Sequence, residues 1–119
     1  MLIPRKQSPL DYSLCNQTVT VYRRESLQRQ VLEGVYYDGR REETVRDEQL
    51  DAGVHFTLII PGQVALAPGD KVLPGVGPVL ETAEQWAALT ADSLPYLGIV
   101  ASVSTKYWQG QPCHVEVKG

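Results

Sequence analysis

The chain has 119 residues, of which 43% are hydrophobic and 21% are charged, close to the composition of ordinary globular domains. This composition excludes a disordered, collagen-like or coiled-coil protein. The formal net charge of −3 argues against a protein whose main activity is to neutralise nucleic-acid phosphates. The apolar runs are too short for a signal peptide or a membrane span, so we expect a protein made in the cytosol, with no membrane partner.

Residues 1–14 differ from the rest of the chain because they carry Pro4 and Pro9 and show no hydrophobic periodicity. Such a stretch is typical of an extended N-terminal arm, and we expect it to become ordered on a partner. We expect residues 15–119 to form a single β-barrel domain, since a chain of this length supports one core.

Two strands are predicted next. Gln17 to Tyr22 alternates valine with threonine and tyrosine, the period of two that is typical of a half-buried strand. Gln30 to Tyr37 predicts a second strand, in which Gly34 indicates a bulge or the close approach of another backbone. Asp38-Gly39 favours a type I′ hairpin turn, so Arg40 to Val45 is expected to return as a further strand.

A dense run of charged residues follows this predicted turn, and its apolar members are Val45 and Leu50. We interpret residues 40–51 as a charged excursion, because these side chains cannot lie in a core. The excursion is either a functional loop or a solvated hairpin. Its charged members are Arg40, Arg41, Glu42, Glu43, Arg46, Asp47, Glu48 and Asp51.

The centre of the core is predicted at Val54 to Ile60, an apolar run closed by a Pro-Gly pair. A turn at Ala67 to Asp70 precedes a short strand over Lys71 to Leu73. Thr82 to Leu89 predicts a helix of about two turns, because Thr82 and Gln85 have capping-box spacing. Such a short helix must pack on the sheet to be stable.

Ile99 to Ser104 and Cys113 to Val117 predict two final strands, which form a hairpin around a turn at Lys106 to Gly110. Taken together, the elements predict a mainly β fold. We expect a small antiparallel β-barrel or sandwich of six to seven strands with one short helix.

No pattern typical of a catalytic, metal or cofactor site is found, and we expect neither an enzyme nor a bound cofactor. Cys15, Cys113, His55 and His114 lack the spacing of metal ligands. We expect His114 to face the solvent and the cysteines to be partly buried thiols, and whether the two sulfurs approach each other stays open. The segment 75–78, Gly-Val-Gly-Pro, lacks the third glycine and the following helix of a dinucleotide loop.

The predicted last turn contains two aromatic residues, Tyr107 and Trp108. Exposed aromatic side chains at this position indicate an interface, whereas side chains folded back on the barrel end are ordinary packing. We treat both residues as interface candidates.

The order of these elements resembles a family of phage and prophage proteins encoded among the head-tail genes. More distantly, it is similar to head-tail joining and head-completion (stopper) proteins of tailed bacteriophages, which are small β-barrels. The residues that carry the resemblance are Thr18-Val19-Thr20-Val21-Tyr22, Gly34-Val35-Tyr36-Tyr37-Asp38, Gly69-Asp70-Lys71-Val72, Gly98-Ile99-Val100-Ala101-Ser102-Val103 and Trp108-Gln109-Gly110-Gln111-Pro112-Cys113-His114-Val115-Glu116-Val117.

The resemblance implies a ring of identical subunits below the portal, in the neck of a virion assembled in the host cytoplasm. It implies contacts with other neck proteins and a long loop directed into the channel, past which DNA moves without sequence-specific binding. The charged residues 40–51 suit that loop, and residues 1–14 suit docking on a neighbour.

A second hypothesis is a small-molecule or peptide-binding β-barrel, with His55, Tyr96 and Trp108 around its mouth. A deep, closed pocket would favour this alternative.

Overall fold

The computed structural model describes residues 12–91 and 93–119, without the side chains of Tyr12, Arg46, Leu50, Asp51, Ala52 and Trp108. It begins with a 3₁₀ turn over Tyr12–Leu14. The strands are β1 Gln17–Tyr22, β2 Arg29–Arg46, β3 Gln49–Pro61, β4 Lys71–Pro74, β5 Gly98–Ile99, β6 Ser102–Trp108 and β7 Gln111–Lys118, and the helix α1 Ala83–Ala88 lies between β4 and β5.

The strands form a sheet in the order β5-β4-β1-β2-β3-β7-β6, and neighbouring strands are antiparallel. The long strand β2 is shared, because its first part pairs with β1 and its second part with β3. A bulge lies near the end of the first part: Gln17 pairs with Val35 but Thr18 pairs with Glu33, which leaves Gly34 as the extra residue. Gly34 has φ +69°, a conformation that glycine adopts readily. The predicted bulge is confirmed.

The chain crosses between the two ends of the sheet at Val100 and Ala101. The Val100 amide donates to the Asp70 carbonyl oxygen at 2.8 Å beside β4, and the Ala101 amide donates to the Lys118 carbonyl oxygen at 2.7 Å beside β7. The sheet therefore rolls on itself, although no ladder joins β5 to β6 among the described residues. This architecture belongs to the mainly antiparallel β class that the sequence predicts.

The main core lies inside the rolled sheet, where alternate residues of the strands point inward. Tyr37 and Phe56 stack at its margin with ring centres 5.8 Å apart. Most residues of this core are aliphatic, and full burial of one valine, leucine or isoleucine side chain stabilises the fold by about 1.5–3 kcal/mol. The buried residues of this core are Val19, Val21, Leu32, Val35, Phe56, Leu58, Ile60, Val72, Val100, Val115 and Val117.

A second apolar cluster covers the outer face of β1. The Tyr22 hydroxyl donates to the Pro78 carbonyl oxygen at 2.8 Å, and the Thr20 hydroxyl donates to the Gly75 carbonyl oxygen at 2.7 Å. Strand β1 is therefore buried on both faces, and the prediction of a half-buried strand is wrong because this cluster covers its second face. The helix α1 packs on the sheet as expected. The cluster consists of Tyr22, Leu89 and Leu97, with Leu73, Leu80, Trp86 and Leu94 packed against it.

The local signals at the start of the helix are confirmed. The Thr82 hydroxyl accepts from the Gln85 amide at 3.1 Å, and the Thr82 amide donates to the Gln85 side chain at 3.3 Å. These reciprocal bonds form the capping box that the spacing predicts.

The hairpin turn predicted at Asp38-Gly39 is wrong. The ladder between β2 and β3 runs without interruption from Tyr36–Ile59 to Arg46–Gln49, so Asp38 and Gly39 lie within a strand. A side chain at Gly39 would overlap the Tyr37 ring, which explains a glycine here without any turn. The turn lies at Asp47 and Glu48, whose φ angles are 49° and 63°.

Two further expectations need correction, and a third lies mostly outside the described residues. His114 is 3% exposed and does not face the solvent. The strand predicted at Ile99 to Ser104 is divided between β5 and β6 at the crossing described above. Of the predicted arm, residues 12–14 form the 3₁₀ turn, whereas residues 1–11 lie outside the described part of the chain.

Candidate functional site: the charged ribbon

The charged run predicted at residues 40–51 lies in the distal part of the β2–β3 hairpin, and we call residues 40–55 the ribbon. Its ladder begins at the Arg40–His55 pair and ends at Arg46–Gln49. The left-handed conformations of Asp47 and Glu48 are those of a type I′ turn, whose twist matches the flanking strands. The run is thus an ordered two-stranded hairpin.

One face of the ribbon carries an ion-pair network. Arg40 and Glu42 are two residues apart on β2, and their side chains meet at 3.1 Å. His55 Nε2 lies 3.6 Å from the second carboxylate oxygen of Glu42. The side chains of Arg40 and His55 are 75% and 56% exposed, so the network is open to solvent and contributes little to stability.

The opposite face holds the contact between the ribbon and the body. Arg41 Nη1 donates to the carbonyl oxygens of Ala91 and Pro95 at 2.8 and 3.0 Å. Arg41 Nε lies 3.3 Å from a carboxylate oxygen of Glu43, and the Arg41 side chain is 23% exposed. Among the charged residues of this run whose side chains are described, Arg41 is therefore the one that anchors the ribbon to the body.

Beyond Arg41 the ribbon extends into solvent. Glu43, Thr44, Asp47 and Glu48 are exposed, and Val45 is 70% exposed. The backbones of Arg46 and Asp51 take part in the ladder, but their side chains lie outside the described atoms. Across residues 40–51, three basic and five acidic side chains leave a net charge of −2.

Comparisons with models of protein families, with curated proteins and with solved structures find no match for this chain.

The interface candidates lie at the end of β6, immediately before the turn at Gln109 and Gly110. Tyr107 is 64% exposed, whereas the Trp108 side chain lies outside the described atoms. An aromatic ring exposed to this extent is a suitable contact for a partner.

Of the residues expected around a binding mouth, His55 and Tyr96 are not brought together, and the side chain of Trp108 lies outside the described atoms. His55 lies on one face of the ladder, and Tyr37 lies on the other. The Tyr37 hydroxyl donates to the Tyr96 carbonyl oxygen at 3.3 Å, which places Tyr96 on the face opposite to His55. An open cleft of about 320 Å³ beside His55 is lined by Asp38, Arg40, Phe56, Thr57, Lys118 and Gly119.

The residues considered as metal ligands do not form a site in the described part of the chain, where no group of three or more His, Cys, Asp or Glu side chains has metal-binding geometry. Cys15 and Cys113 are half-buried thiols. Among the described helices, none has the length and hydropathy needed to cross a membrane.

Two charged residues that the sequence analysis did not single out are buried. Asp70 is 4% exposed, and its carboxylate accepts from the amides of Arg24 and Ala67, each at 2.9 Å. An aspartate at the end of a predicted turn is a signal for such bonds. Lys71, 6% exposed, follows it directly, and no local pattern indicates its burial.

Proposed function

We propose that this chain is a structural subunit of the head-tail connector of a tailed bacteriophage or prophage. Identical copies form a ring below the portal, which links the head to the tail and helps to retain DNA. The observation that carries the proposal is the charged ribbon, an ordered hairpin that projects from a rolled β body and offers few apolar side chains to bury.

The length of the ribbon suits a channel-lining role. From Arg40 to Arg46 the strand advances by about 20 Å at the usual rise of 3.4 Å per residue. A ring of such hairpins can reach well inside the perimeter formed by the bodies.

The charge of the ribbon suits DNA that must slide. Binding of DNA by proteins depends on basic residues that displace counterions from the phosphates. The ribbon alternates both signs and is slightly acidic, so it lines a passage without holding the phosphates. DNA passes without recognition of its sequence.

The remaining parts of the proposal concern partners. The ring contacts the portal or adaptor on one side and tail proteins on the other, and Tyr107 and Trp108 are candidates for these contacts. The subunit has no catalytic role, and its place is the virion neck after assembly in the host cytoplasm.

The test uses particles assembled with variant subunits. In the first variant, a two-residue Asn-Gly turn replaces residues 42–53, which retains Arg41 and removes the exposed ribbon. We expect the protein to fold, because shortening the connection from twelve residues to two lowers the entropic cost of closing it, by about 1.6 kcal/mol. We expect filled heads to lose DNA or to lack tails, as seen by electron microscopy and DNA content.

A second variant changes the charge of the ribbon and keeps its length. Glu42→Lys combined with Glu48→Lys changes the net charge of residues 40–51 from −2 to +2 and keeps the ladder. We expect this variant to assemble normally but to slow DNA ejection, because the basic ribbon then attracts phosphates. Lys118→Glu, a charge reversal at a side chain 60% exposed on β7, is the control.

If particles that carry the truncated subunit keep their DNA and remain fully infectious, the ribbon is a solvated hairpin and the proposal is wrong. The same holds if particles that lack the whole subunit join heads to tails normally.

A further inference from the structure

The ribbon root is clamped by the connection between α1 and β5, which contains residues 90–97. Two side chains of β2 reach the backbone of this connection. Arg41 donates to Ala91 and Pro95 oxygens, and Tyr37 donates to the Tyr96 oxygen. Both side chains lie on the inner face of the β2–β3 ladder, four residues apart along the strand.

The connection is itself fixed to the sheet. Lys71 Nζ donates to the carbonyl oxygens of Trp86 and Leu89, and the buried Leu97 packs in the cluster around Tyr22. A chain of direct contacts therefore runs from β4, through the end of α1, to the ribbon root.

The ladder alone does not fix the direction of the ribbon. A two-stranded hairpin that extends from a sheet has no third strand to resist bending, and such hairpins are marginally stable alone. Strand β2 pairs with β1 only as far as Val35, and β3 pairs with β7 from Thr57 onward. Arg41 contacts the body just beyond these limits, where a bend would occur.

We propose that Arg41 is the positioning residue of the ribbon: its two hydrogen bonds to residues 91 and 95 set the angle between ribbon and body. The connection, described at residues 90–91 and 93–97, is the clamp. Tyr37 provides a second, weaker tie. This inference concerns the isolated subunit and holds whether or not the chain belongs to a phage connector.

The experiment measures distances by pulsed electron spin resonance. Nitroxide spin labels are attached to cysteines introduced by Thr44→Cys on the ribbon and Ser104→Cys on β6, two exposed positions. The native thiols are removed by Cys15→Ser and Cys113→Ser, so that only the introduced cysteines are labelled. A second label pair at the exposed Glu33 and Ser104 reports on the body alone.

We expect a narrow Thr44–Ser104 distance distribution in the otherwise unchanged protein. Arg41→Gln keeps the aliphatic stem but removes the guanidinium, and it should broaden and shift this distribution while the Glu33–Ser104 distribution stays narrow. The matched control Arg40→Gln, on the opposite and exposed face, should change neither. Arg41→Lys should restore part of the narrow distribution, since one ammonium group can reach one of the two oxygens.

An unchanged Thr44–Ser104 distribution in Arg41→Gln would show that strand pairing alone sets the angle and would overturn the inference. If Arg41→Gln also broadens the body distances, Arg41→Lys provides the test, because it keeps a cationic donor at this position. A Thr44–Ser104 distribution narrower than that of Arg41→Gln then supports the clamp, and an equally broad distribution refutes it.

Discussion

The ammonium group of Lys71 lies 3.8 Å from the centre of the Trp86 ring and donates to the main-chain oxygens of Trp86 and Leu89 at 2.8 and 2.7 Å. The last carbonyl groups of a helix have no partner within the helix, and a cation at this end also interacts favourably with the helix dipole. Lys71 thus holds the C-terminal end of α1 against the sheet.

We expect Lys71→Met to reduce the free energy of unfolding by about 1–3 kcal/mol, because it keeps the stem but leaves the buried Leu89 oxygen without its donor, whereas the Trp86 oxygen keeps the Leu89 amide. Lys118→Met, at an exposed position, is the control and should change stability by less than about 0.5 kcal/mol. Urea denaturation measures both. Equal stability of the two variants would contradict a fastening role for Lys71.

A second prediction concerns alkaline pH. Burial, with a smaller contribution from the Asp38 charge, raises the pKa of Tyr37 to about 12. An unfolded tyrosine loses its proton near pH 10, so the stabilising contribution of Tyr37 is complete below pH 10 and is lost as the pH rises toward 12. Because the Tyr37 side chain is only half-buried, solvent screening limits this loss to about 1–2 kcal/mol.

Two other groups also titrate in this range. Burial raises the pKa of Tyr22, which therefore lowers the free energy of unfolding as the pH rises. Burial lowers the pKa of Lys71, so the contribution of this group to the free energy of unfolding increases as the pH rises. Both groups are retained in Tyr37→Phe, so the difference between this variant and the unchanged protein isolates Tyr37. Denaturation between about pH 9 and 11 should show a shallower decline for Tyr37→Phe, and identical slopes would refute the prediction.

A third prediction compares two glycines. A side chain at Gly98 would overlap the buried Phe56 ring, whereas a side chain at Gly53 on the ribbon would meet no atom within 4 Å. Gly98→Ala should therefore cost about 1–3 kcal/mol through overpacking, and Gly53→Ala should change stability by less than about 1 kcal/mol. Thermal unfolding of both variants checks this. A Gly98→Ala protein as stable as Gly53→Ala would mean that the Phe56 ring is free to move.

A fourth prediction concerns association. The large apolar side chains that are most exposed are few and lie on several elements, among them Val45 on the ribbon, Val76 and Val79 after β4, and Tyr107 on β6. Since stable interfaces usually bury a continuous surface of about 1,200 Å² or more, we expect the isolated subunit to be a monomer or a weak oligomer. Light scattering over a hundredfold range of concentration tests this. A closed ring at all concentrations would show that no template is needed.

Sequence patterns correctly predicted the structural features that depend on residues close together in the sequence. The extended backbone of β1, the bulge at Gly34 and the capping box at Thr82 each depend on residues within a few positions of one another. The charged segment 40–51 was also correctly separated from the core. Its shape was not, because Asp38-Gly39 is a strong turn signal, whereas the actual turn at Asp47 and Glu48 has no glycine.

The remaining differences arise from contacts between distant parts of the chain. Alternation assigns His114 to a face of β7, but it does not tell whether that face is covered, and His114 is buried. Lys71 and Arg41 have no local signal either, since their acceptors are main-chain oxygens 15 or more residues away in sequence. Every residue type has a main-chain carbonyl oxygen, so the amino-acid sequence does not indicate which residue accepts such a bond.

The sharing of β2 between the two halves of the sheet has a mechanical consequence. One unbroken backbone runs from Arg29 beside β1 to Arg46 at the tip of the ribbon, and the bulge leaves only Gly34 without a partner in the ladder. A pull on the tip along the strand would load the hydrogen bonds to β1 and β3 in shear, many bonds at once. Because strand β2 continues from the ribbon into the body, a force applied to the ribbon tip would be distributed over both halves of the sheet.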